Sequence, residues 1–154
     1  MRTKCDTGYL DVMDGKAVPN FCWGNVEKLN RFRSELGLRL HFEVHLMVEN
    51  PLEQALKWLE YDWVTRVIVR SEEVYDLDDF QLLAKDNVKL GLAIDPETDE
   101  TPLLGLENPN HLLVMGVASG FSGKSLVPSA LRRIRSFKRR WPWITIGVDG
   151  GMNL

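Results

Sequence analysis

An α/β protein built as an incomplete (β/α) barrel is the fold class this sequence predicts, and three observations carry the reading. Short apolar runs rich in β-branched residues alternate with longer stretches of helical periodicity, the mark of βα units around a parallel sheet. Within the runs, apolar residues fall on one face and a partly polar set on the other. The residues able to do chemistry cluster at the C-terminal ends of the runs, the face on which barrel enzymes build their sites.

Taken in order, strands are expected from Gly8 to Met13, Leu40 to Met47, Trp63 to Val69, Val88 to Ile94, His111 to Gly116 and Ile144 to Val148. Helices are expected from Asn25 to Leu36, Leu52 to Leu59, Asp78 to Ala84 and Pro128 to Arg140, with a weaker one from Thr101 to Leu106. Gly37 reads as a helix C-cap. Asn50 before Pro51 reads as an N-cap followed by proline at the first helical position, where its missing N–H costs nothing. Asp95-Pro96 and Pro109-Asn110 read as turns.

Parity separates a barrel from a flat doubly covered sheet. In LRLHFEVHLM, Leu40, Phe42, Val44 and Leu46 share one face, while His41, Glu43, His45 and Met47 share the other. A sheet with helices on both sides would be apolar on both faces. A barrel sets its apolar face against outer helices and carries polar groups inside, near the strand ends. The first run agrees, with Leu10 and Val12 facing one way and Tyr9, Asp11 and Met13 the other. The count falls short of the eight strands of a closed barrel. The chain is therefore expected to be one partial barrel domain over residues 1–154, either a fragment of a longer barrel or an open form whose strand edges a partner covers.

Composition narrows the partner. The chain has 154 residues, 44% hydrophobic and 27% charged, with a formal net charge of -3, so nothing in its balance attracts nucleic acid or an anionic membrane. Cys5 and Cys22 form no CxxC pair, which suits a reducing, cytoplasmic setting. No run of about eighteen apolar residues occurs, so no membrane span is expected. The cationic stretch RRIRSFKRRW carries Leu131, Ile134, Phe137 and Trp141 at helical spacing, which reads as a buried stripe with the arginines on its solvated face. The tryptophans at 23, 58, 63, 141 and 143 read as helix-to-barrel packing. A small soluble partner remains the expectation.

Four segments at strand ends belong together: YLDVMDGKAVPN, FEVHLMVENP, LVMGVASGFSGKS and IGVDGG, joined by GLAIDPETDE at Gly91. In this order and at these separations they resemble the signatures of the ribulose-phosphate 3-epimerase family, and the similarity runs from Gly8 to Gly151. The resemblance implies an α/β fold of the (β/α)8 TIM-barrel type, here incomplete, with about six βα units and without the family's first and last strands. It implies an epimerase that interconverts ribulose 5-phosphate and xylulose 5-phosphate by moving the C3 proton through an enediolate. Asp11 and Asp149 would be the acid/base pair. Asp11, His45 and Asp149 would also be three of four ligands of a divalent metal ion, zinc, iron(II) or manganese. Met13, Met47 and Met115 match the apolar packing around the substrate, and His45 lies beside it. Gly120, Phe121, Ser122 and Gly123 match one phosphate loop, and Gly150 with Gly151 a second, since glycine-rich turns offer several backbone N–H donors to one anion.

The sequence also departs from the family pattern. Tyr9 stands where the first ligand histidine would be, and a neutral phenol is a poor ligand for a divalent ion. Arg70 replaces a histidine, Asp95 an asparagine, Ser119 a proline, Ser122 a glycine and Lys124 a glutamine. Asp14 before Gly15 reads as a turn former rather than a second catalytic acid, and His41 and His111 as structural or solvated. Two alternatives follow: a non-catalytic phosphate-binding or assembly protein on the same barrel, which could be homo-oligomeric, or another phosphosugar-binding barrel enzyme.

Overall fold

The alternation read from the sequence is the first thing the computed structural model displays, over the residues it describes, 6–22, 24–86, 89–119 and 123–152. Strands β1 (Thr7–Met13), β2 (His41–Met47), β3 (Val64–Arg70), β4 (Leu90–Ile94), β5 (His111–Met115) and β6 (Thr145–Asp149) form one sheet in chain order, every neighbouring pair parallel. Helices α1 (Val26–Leu36), α2 (Pro51–Leu59), α3 (Leu77–Asp86) and α4 (Pro128–Arg140) lie between them. Each helix crosses from one strand to the next, as parallel neighbours require.

The outward face of the sheet is the main core. Val44, Leu46, Val67, Val69, Leu92, Ile94, Leu112 and Val114 pack there with Trp58, Phe80, Ala130 and Phe137 from the helices. On the opposite face Ile68, Ala93, Leu113 and Met115 make a smaller cluster. A second, inward-facing apolar group is what a sheet rolled on itself needs and what a flat one-sided sheet would leave in water. The roll can be measured. β1 and β6 are the two outermost strands, and in a flat sheet at about 4.8 Å spacing they would stand roughly 24 Å apart. Instead, ligand atoms of Asp11 on β1 and Asp149 on β6 lie within 4.8 Å of each other. The six strands are thus a curled portion of a (β/α) barrel, the predicted fold class.

Local chemistry explains most element ends. Asn25 is extended and its side chain accepts the Lys28 N–H at 2.8 Å, which caps α1. Gly37 closes α1 in the left-handed region at φ 62. Pro51 opens α2 as anticipated, but Asn50 itself is left-handed at φ 51 and makes no side-chain capping bond. A side-chain cap normally needs extended backbone at that residue, and this conformation denies it.

Three other expectations change. The weak helix from Thr101 to Leu106 is a short 3-10 turn, Pro102–Gly105. On α4, Ala130 and Phe137 face the core while Leu131 is 49% exposed, so Leu131 drops out of the buried stripe. Trp58, Trp63 and Trp141 are buried as expected, whereas Trp143 is 63% exposed and Trp23 lies outside the described residues. No helix among the described residues is long and apolar enough to cross a membrane.

Candidate active site at the C-terminal mouth

Strand parity aims Asp11, His45 and Asp149 inward, and the curl brings them together. Asp11 and His45 are direct register partners across β1 and β2. Asp11 Oδ1 lies 3.3 Å from His45 Nδ1. Asp149 arrives from the far edge, as the register partner of Met115. One ligand atom from each of the three residues falls within 4.8 Å of the others. Met13 pairs with Met47 one step nearer the mouth, so two of the expected methionines lie beside the carboxylates on β1 and β2 and the third, Met115, lies beside them on β5.

The trio is underused by the protein itself. His45 is fully buried, and among the described residues neither of its nitrogens nor Asp11 Oδ1 makes a well-directed hydrogen bond, the 3.3 Å approach of Nδ1 to Asp11 Oδ1 being a charge contact. Buried polar atoms are normally satisfied, so three without a directed hydrogen bond, two of them in contact, mark a place for a ligand. Two carboxylates and one imidazole form a mixed oxygen and nitrogen donor set that suits zinc, iron(II) or manganese. The residues present fit a divalent ion.

Electrostatics separates the two acids. Burial first, and then the neighbouring Asp11 charge, raise Asp149 above the usual carboxylate range, partly offset by His45 and by the Gly150 N–H. Tyr9 sits two residues before Asp11 on the same face, its ring 6.5 Å from that of His45. Loss of hydration, then Asp11, Asp149 and Glu43, push its phenol well above its ordinary value. The hydroxyl is therefore neutral next to these carboxylates. Asp14 is a turn former, as expected: despite some desolvation, the N–H groups of Glu49, Lys16 and Ala17 that it accepts keep its carboxyl low.

The glycine turns sit behind this trio. Gly123, Gly150 and Gly151 all have positive φ, at 76, 84 and 71. Gly116 donates its N–H to the Asp149 carbonyl at 2.6 Å and accepts from Val127 N at 2.9 Å, which stitches the segment after β5 to the end of β6. A Cβ on Gly116 would strike the Gly150 carbonyl, and one on Gly151 would strike the backbone at Leu126. Gly120, Phe121 and Ser122, expected in the first phosphate loop, lie outside the described residues.

Two histidines left aside in the sequence separate here. His41 is exposed, whereas His111 is 4% exposed on the inward face. Residues that the sequence reading treated only as departures form a network at the same mouth, around Arg70, Asp95 and Ser119. Their one signal in the sequence is that a cation and an anion depart from the pattern together. Arg133, assigned to a solvated face, instead donates to the carbonyls of Asp95 and Thr98 and pairs with Glu100 at 3.4 Å.

A rolled parallel sheet with two acids, an imidazole and glycine turns at its C-terminal rim is a (β/α)-barrel enzyme scaffold. The family model described as ribulose-phosphate 3 epimerase matches residues 1–154, and the chain belongs to that family of isomerases. It is 29% identical to a cytoplasmic isoform of ribulose-phosphate 3-epimerase from Oryza sativa subsp. japonica, across 99% of this chain and 68% of the rice protein. It is 30% identical to the ribulose-phosphate 3-epimerase of Aquifex aeolicus, across 99% of this chain and 69% of the relative. Identity to the Rhodospirillum rubrum protein of the same name is 32%, across 99% and 68%. The chain thus spans about two thirds of the length of these relatives.

Proposed function

We propose that this chain carries the catalytic centre of an epimerase that interconverts D-ribulose 5-phosphate and D-xylulose 5-phosphate. The observation that carries the reading is the convergence of Asp11 and Asp149 from opposite edges of the sheet on one point beside the buried His45. The relatives' names support a ribulose-phosphate substrate and epimerisation at C3.

Inverting a carbon that bears an acidic proton requires a base on one face and an acid on the other. Asp11 takes or returns the proton on one side of C3 and Asp149 on the other, and the roles reverse with the direction of reaction. Met13, Met47 and Met115 keep the reacting carbon in a low-dielectric wall, which strengthens nearby charge interactions. Gly123, Gly150 and Gly151 present backbone N–H groups to the phosphate, and the family resemblance assigns the same role to Gly120, Phe121 and Ser122, which lie outside the described residues. Asp11, His45 and Asp149 would hold the divalent ion, with Tyr9 as a neutral neighbour rather than a fourth anionic ligand. When bound, such an ion supplies positive charge that stabilises the enediolate oxygens.

The test is a coupled epimerase assay with added zinc, iron(II) or manganese. Asp11→Asn and Asp149→Asn should each lower kcat by about 10²-fold or more, the usual scale for removing an acid/base group. Absence of turnover under every metal would refute the reading.

A further inference from the structure

At the ends of β3 and β4, Arg70 and Asp95 stand side by side. Arg70 is 8% exposed, and its Nη2 donates to Asp95 Oδ2 at 3.1 Å. Its Nη1 donates to the Ala17 carbonyl at 3.0 Å and to Glu73 at 3.2 Å. The other oxygen of Asp95 accepts the Ser119 N–H at 3.2 Å and the Ser119 hydroxyl. Ser119 is itself 3% exposed. Glu72 locks the far side, accepting the Asp95 N–H at 3.0 Å and the Thr98 hydroxyl.

One guanidinium and one carboxylate thereby tie together the segments that follow β1, β3, β4 and β5. Both Arg70 Nη groups and both Asp95 oxygens are engaged within the protein, and Arg70 Nε faces Glu72 at 3.7 Å, so both side chains are turned toward protein groups. Ser119 lies just before the glycine segment that ends at Gly123 and is closed at its base by the Val127 to Gly116 hydrogen bond. We infer that Arg70 and Asp95 are positioning residues, the centre of a buried charge cluster with Glu72 and Glu73 that sets where the segment after β5 leaves the sheet and so sets its grip on phosphate. The inference rests on the functional reading above for its substrate, not for its geometry. Loss of Arg70 leaves the carboxylates of Glu72, Glu73 and Asp95 without their shared cation, whereas loss of the Asp95 charge leaves Arg70 facing Glu72 and Glu73 but weakens its hold on Asp95.

The experiment compares wild type with Asp95→Asn, Arg70→His and the double variant. It measures KM and kcat for ribulose 5-phosphate at saturating metal, competition by inorganic phosphate, and amide hydrogen exchange over residues 116–127. Each single variant should raise KM and weaken phosphate competition by about tenfold with kcat little changed, the scale of one lost charge-assisted hydrogen bond, and should speed exchange in the segment. The double variant should lose about as much as Arg70→His rather than the sum of the two singles, because the two residues act through one cluster. Folded single variants with unchanged KM and unchanged exchange, or fully additive losses in the double variant, would overturn the inference. If the singles do not fold, Ser119→Ala strands no charge and should move KM the same way by about threefold; wild-type values there would overturn it as well. A wild type without turnover defeats the functional reading alone, because phosphate binding and exchange still decide the strut.

Discussion

His111 shows what a single side chain can be made to do by its position. On the inward face of β5 it is 4% exposed, with neither nitrogen hydrogen-bonded among the described residues. Burial, helped by the nearby Arg66 charge, lowers its pKa from 6.5 to about 4. The proton therefore binds the unfolded chain more tightly than the folded one. Above pH 6.5 the group is neutral in both states and costs nothing, and between pH 6.5 and 4 stability falls as pH falls. A shift of that size corresponds to at most about 3 kcal/mol. His111→Leu should flatten this acid-side decline, measured by urea melts across the range. An unchanged slope would show that the imidazole does not titrate in this way. Asp11 and His45 could be nominated from motif position, but His111 could not be sorted into core or surface, because burial is a property of the neighbours.

At the scale of elements, periodicity and turn chemistry did well. Six strands and four helices fall where alternation and caps put them, within a few residues. The misses share a cause. Asn50, Leu131 and the Pro102–Gly105 turn were judged on local preference, and each was settled by contacts from elsewhere in the chain or by backbone conformation at one residue. The glycines make the point testable. Gly116→Ala would drive a Cβ into the Gly150 carbonyl, whereas Gly105→Ala meets nothing within 4 Å and has no positive φ. The first should cost about 2 kcal/mol or more, as overpacking does, and should impair phosphate binding. The second should stay within about 0.5 kcal/mol of wild type. Thermal melts and phosphate titration separate them, and equal effects would contradict the close approach of the two turns.

For the whole molecule, the decisive quantity is curvature. Asp11 and Asp149 are coupled only because the sheet rolls, and that coupling has a solution signature in metal-free protein. In Asp11→Asn, the carboxyl of Asp149 should titrate lower than in wild type, because a neighbouring charge that helps to raise it is gone. Carbon-detected NMR titration in the presence of a chelator measures it. An Asp149 that ignores the substitution would place the two acids in separate spaces.

What the sequence determined by itself was the order of βα units, the face on which each strand residue points, and the short list of residues suited to acid/base work, because these follow from the period of the backbone and the chemistry of side chains. Tertiary structure alone decided that β1 and β6 meet across a common space, that Arg70 gathers Asp95, Glu72 and Glu73 around it, and that His111 is stripped of water. Each of those is a distance between groups remote in the chain, and such distances depend on how the sheet twists and closes, which no local pattern encodes.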